Sequence, residues 1–89
     1  MSCYLIIFEV KTLAKRNELR GLMKKLGGYC PITRTSWAIT TDQRAKEIRD
    51  YLKVATAPGD RLFVVRSGTE AAWKNAISTK HSDWLKANL

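Results

Sequence analysis

Every position from Tyr4 to Phe8 is apolar, and the run Cys3 to Val10 (CYLIIFEV) contains no glycine or proline. β-Branched and aromatic residues in an unbroken run predict a strand. Alternation sends Leu5, Ile7 and Glu9 to one face and Tyr4, Ile6, Phe8 and Val10 to the other. Both faces are apolar, so this strand is expected at the centre of a sheet with cover above and below. The period then changes. Leu19, Leu22, Met23 and Leu26 recur at helical spacing, with Thr12 as the expected N-cap. Gly27-Gly28 is expected to end this helix by adopting the left-handed conformation open to glycine.

From Tyr29 to Thr41 the residues favour strands again. They predict a short antiparallel pair over 29–33 and 36–41, turning at Arg34-Thr35. Pro31 has no N–H to offer a ladder, which assigns the first of the pair to a sheet edge. Asp42 is expected to cap a second helix whose inward stripe is Ala45, Ile48, Leu52 and Ala55. Ala57-Pro58-Gly59-Asp60 reads as a turn, and Arg61 to Arg66 (RLFVVR) as the last strand. This order predicts an α+β, ferredoxin-like βαββαβ sandwich: a four-stranded antiparallel sheet with two helices on one face. Residues 1–68 form that domain, and residues 69–89 a helical extension. Thr69 and Ser82 are candidate N-caps in the extension. Its Trp73, Ile77, Trp84, Leu85 and Leu89 are expected to dock on the domain or on a partner rather than stack on bases. The sheet face opposite the helices needs cover from this tail, from a second copy, or from both.

Charge narrows the function. The chain of 89 residues carries a net charge of +8. Residues 1–40 hold seven bases (Lys11, Lys15, Arg16, Arg20, Lys24, Lys25, Arg34) and two acids (Glu9, Glu18), a balance of +5. Clustered bases of this kind are the electrostatic footprint of a polyanion binder. Lys24 and Lys25 also suit the negative end of the helix dipole. A span of apolar residues long enough to cross a bilayer is absent, and no signal-peptide pattern precedes the first strand, so a cytoplasmic setting without membrane partners is expected. The inventory for catalysis is thin. His81 is the only histidine, and two cysteines with one histidine cannot form a four-ligand zinc site. Cys3 and Cys30 are read as reduced, half-buried thiols.

Glu9 is the exception, a carboxylate inside an apolar strand. It needs solvent, a cation, or an ion pair, for which Lys11, Arg16 and Arg66 are the candidates. Ser36, beside Trp37, could donate to a phosphate or close its turn.

Phe8-Glu9, the basic start Lys15-Arg16-Asn17-Glu18-Leu19, then Leu22, Leu26 and Gly27, with Ser36-Trp37 in the next strand, together resemble the small CRISPR-associated Cas-two family. The family's relatives are the VapD-like toxins and the SinR-like proteins. Glu70-Ala71-Ala72-Trp73 and Ser82-Asp83-Trp84-Leu85-Lys86 are similar to the SinR-like branch. The resemblance implies a homodimer that handles nucleic acid, with a Mg2+- or Mn2+-dependent endonuclease activity in its catalytic members. Under it, Glu9 falls at the metal-binding and catalytic position with Ser36 as helper, and Arg16 contacts phosphate. Lys11, Lys15, Arg20, Lys24, Arg34 and Arg66 complete the expected nucleic-acid surface. Glu9 stands where the family has Asp. The extra methylene moves the carboxylate by about an ångström, enough to cost roughly 100-fold in rate. A non-catalytic subunit meeting a protein partner, in a defence or toxin–antitoxin system, is the alternative.

Overall fold

The computed structural model describes residues 1–68 and 70–89. Four strands, β1 (Ser2–Glu9), β2 (Gly28–Thr33), β3 (Ser36–Thr41) and β4 (Arg61–Arg66), form one antiparallel sheet in the order β2-β3-β1-β4. With α1 (Leu13–Lys24) and α2 (Ala45–Leu52) this is the ferredoxin-like arrangement, and α3 (Thr79–Asn88) follows it. β1 lies between β3 and β4, and Pro31 sits in edge strand β2. No described helix is long and apolar enough to cross a membrane.

The double-sided strand is covered fully on one side and in part on the other. Tyr4, Ile6 and Phe8 pack with Leu19 and Met23 of α1, Ile48 and Leu52 of α2, and Trp37 and Ile39 of β3. On the other face Cys3 joins Cys30, Ala38 and Leu85, with Leu5, Trp73 and Trp84 around them. The tail therefore supplies the second layer, and its tryptophans are packing residues. The Trp73 indole N–H donates to Ser82 Oγ at 3.1 Å, tying the segment before α3 to the helix.

That second layer is incomplete. Ile7, Phe63 and Val65 share the α3 side of the sheet through the pairings Ile7–Phe63 and Leu5–Val65. They remain 44%, 59% and 47% exposed. An apolar strip along β1 and edge strand β4 is left open.

Three local expectations are corrected. Gly27 and Gly28 do not adopt the left-handed conformation, which among the glycines belongs to Gly59 (φ 90°) in the turn before β4. They are needed for close approach: a Cβ on Gly27 would stand 2.1 Å from the Thr40 carbonyl oxygen, and one on Gly28 2.6 Å from Thr40 Oγ1. Asp42 does not cap α2. That helix begins later, with Arg44 as N-cap, its N–H held by Glu47 Oε1 at 2.9 Å. Asp42 faces the terminal amino group of Met1 instead, at 3.6 Å. Ser82 is not the cap of α3 either, because Ser78 accepts the His81 N–H. Thr69 lies outside the described residues. Thr12 caps α1 as expected, accepting the Lys15 N–H at 3.3 Å.

Candidate nucleic-acid interface

The residues expected to bind nucleic acid fall on both sides of the sheet. Glu9 closes β1 on the side that carries Ile7. The β1–β4 register sets it directly opposite Arg61, and Glu9 Oε1 lies 3.8 Å from Arg61 Nη1. Both side chains are largely solvent-exposed, so the pair holds the carboxylate only loosely. Arg61, rather than Lys11, Arg16 or Arg66, is therefore the partner, because the β1–β4 register puts its side chain directly beside that of Glu9 on one face. Arg16 is occupied nearby: its Nη1 donates to the carbonyls of Val10 (3.0 Å) and Lys11 (3.1 Å), bracing the chain between β1 and α1. Arg66 pairs with Tyr4, towards the opposite end of β1 from Glu9.

Ser36 is opposite Ile7 on β3, which puts it diagonal to Glu9 on the same face. Its Oγ is 2.6 Å from Thr33 Oγ1, and the two hydroxyls close the turn that contains Arg34 and Thr35. The structure thus brings Glu9 and Ser36 to one end of one face. Beside them a hollow of about 240 Å3 is lined by Ile7, Glu9, Thr35, Arg61 and Phe63.

One chain supplies a single carboxylate at this hollow. The nearby Asp60 is committed to backbone, accepting the Ala57 N–H at 2.8 Å and the Lys11 N–H at 3.2 Å. No group of three or more His, Cys, Asp or Glu that could hold a metal occurs among the described residues. A tightly held Mg2+ does not fit this donor set in one chain.

Lys15, Arg20 and Lys24 project from α1, across the sheet from Glu9. Lys15 Nζ meets Glu18 at 3.6 Å, and Arg20 Nη1 reaches Asn17 Oδ1 at 3.4 Å. Lys24 Nζ stands 6.0 Å from the centre of the Tyr29 ring. Arg34 sits in the β2–β3 turn. Among the described residues, Lys11, Arg16, Arg20, Lys24, Arg34 and Arg66 form no ion pair with a carboxylate. No carboxylate among the described residues neutralises this positive surplus. The sheet, however, stands between Glu9 and the bases Lys15, Arg20 and Lys24, so the described residues of one chain form no single groove containing both.

The thiols are buried on the α3 side. Burial pushes the Cys3 thiol above its ordinary pKa, with hydrogen bonding to Ser67 and the Ile39 backbone pulling the other way. Burial also raises Cys30, and the neighbouring Cys3 adds to it. Both cysteines are free. They lie on β1 and β2 with β3 between them, too far apart for a disulfide. His81 Nδ1 is 2.6 Å from Ser78 Oγ, a contact local to the start of α3. Arg61 is the residue sequence reasoning missed; only the strand register identifies it. No family model and no curated protein matches the chain.

Proposed function

We propose that the protein is a Cas-two-like homodimer that binds nucleic acid through its phosphates. The observation that carries this reading is the set of bases, Arg16, Arg20 and Lys24 on α1 with Lys11, Arg34 and Arg66, that find no carboxylate partner among the described residues. Unneutralised Lys and Arg side chains release condensed counterions when they meet a polyanion, and this release supplies most of the affinity of such binders. The exposed strip of Ile7, Phe63 and Val65 supports the dimer, because burying it against a second copy completes the second layer over β1 and β4. The setting that suits such a protein is cytoplasmic.

A second reading, a Mg2+- or Mn2+-dependent endonuclease, is favoured by one observation. Glu9 adjoins the apolar strip, so a two-fold axis there brings a second Glu9 close and doubles the carboxylates. The third, a scaffold that meets a protein partner, uses the same exposed face.

Electrophoretic mobility shifts with single- and double-stranded RNA and DNA separate these readings, run in EDTA and in Mg2+ or Mn2+, with Glu9→Ala alongside. Phosphate binding predicts shifts that persist in EDTA and in Glu9→Ala, with no cleavage. Cleavage that needs metal and is lost in Glu9→Ala would replace the binding reading with the nuclease. A failure to shift any nucleic acid leaves the protein-partner reading.

A further inference from the structure

We infer that a single strand places one nucleotide in the groove between α1 and the β2–β3 hairpin. Its phosphate is held between Arg20 and Arg34, and its base lies against Pro31, Trp37 and Ile77. The inference rests on the nucleic-acid reading above and names the part of the surface that grips the ligand.

The groove is wide open to solvent, has a volume of about 500 Å3 and is lined by these five residues together with Thr33. That volume lies within the roughly 300–1,000 Å3 of small-ligand sites. Its two guanidinium groups come from separate elements, and neither forms an ion pair among the described residues. Arginine's planar fork matches the oxygens of a phosphate. The rest of the lining is mainly apolar. Trp37 is buried and stacked on Tyr29 (centroids 5.5 Å apart, planes 19° from parallel), which makes this floor firm. Ile77 is 57% exposed, an apolar surface awaiting a partner. Two guanidinium groups lining the same groove as an apolar surface suit a ligand with a phosphate and a flat, weakly polar ring. A duplex keeps its bases inside and would use only the arginines, whereas single-stranded bases are free to leave the stack.

The test is fluorescence anisotropy of a short labelled oligouridine and of a duplex of equal length. Both are titrated with the full chain and with Arg20→Gln/Arg34→Gln, Ile77→Glu, and the control Lys46→Gln/Lys53→Gln, which removes two charges from exposed sites on and just after α2. Circular dichroism checks that each variant is folded. The arginine pair should weaken oligouridine binding by about tenfold or more and lower its salt slope by about 0.7 for each phosphate no longer neutralised. Ile77→Glu should weaken oligouridine more than duplex, and the control should change either by no more than about twofold. Equal weakening in the arginine variant and the control, or an Ile77→Glu variant that binds oligouridine like the wild type, would overturn the groove while nucleic-acid binding stands. A wild-type chain that binds neither probe would overturn both.

Discussion

Two glycines close together in the sequence answer to different forces. Gly21 lies inside α1 with open space where a Cβ would go. Gly21→Ala should therefore stabilise the protein by about 0.5–1 kcal/mol, through helix propensity and reduced freedom of the unfolded chain. Gly27→Ala drives a methyl into the Thr40 carbonyl and should cost about 1–3 kcal/mol or more. At about 4–8 °C per kcal/mol, thermal melts of the two variants should move in opposite directions. The sequence signals a helix end at Gly27 but not the strand pressed against it, since that approach is long-range. The buried thiols carry a second consequence. Their raised pKa values mean that the folded state holds protons which the unfolded chain releases. This contribution to stability is complete below the ordinary thiol range and is lost as pH rises through it towards the folded values. Denaturant midpoints should fall over that alkaline window, and the fall should shrink in Cys3→Ser/Cys30→Ser.

At the scale of elements, legibility follows the density of the apolar signal. β1 is apolar on both faces, so its central place and the need for two layers could be read directly from the pattern. The stripes of α1 and α2 were equally plain. The caps were less so: Asp42 and Ser82 have the right chemistry, but the N-caps are Arg44, whose N–H is held by Glu47, and Ser78, a residue of the same capping type four positions before Ser82. Thr12→Ala removes the one cap that sequence and structure agree on and should cost about 1 kcal/mol. α3 depends on few buried side chains, with Leu85 as its fully buried member. Leu85→Ala should cost about 2–4 kcal/mol and loosen the layer over Cys3 and Cys30. Alkylation of the thiols, slow in the wild type, should quicken markedly in that variant. Unchanged alkylation would mean that α3 does not shield them.

For the whole molecule, charge was legible and its placement was not. The excess of bases can be counted in the sequence, yet only the sheet shows that α1 and Glu9 occupy opposite sides. Likewise, the ion pair with Arg61 depends on a strand register that no local pattern encodes. The open strip beside Glu9 is where the proposed dimer forms. Wild-type protein should sediment as a dimer and Phe63→Asp as a folded monomer, because a carboxylate buried in an apolar interface is strongly disfavoured. A wild-type monomer at every concentration would remove the dimer from the account. Phosphate recognition by bases that have no carboxylate partner among the described residues is tested most directly by the salt dependence of binding to single-stranded and duplex probes. The logarithm of affinity should fall linearly with the logarithm of salt concentration, with a slope of about −0.7 per neutralised phosphate on single strands and about −0.9 on duplex. An affinity indifferent to salt would contradict it.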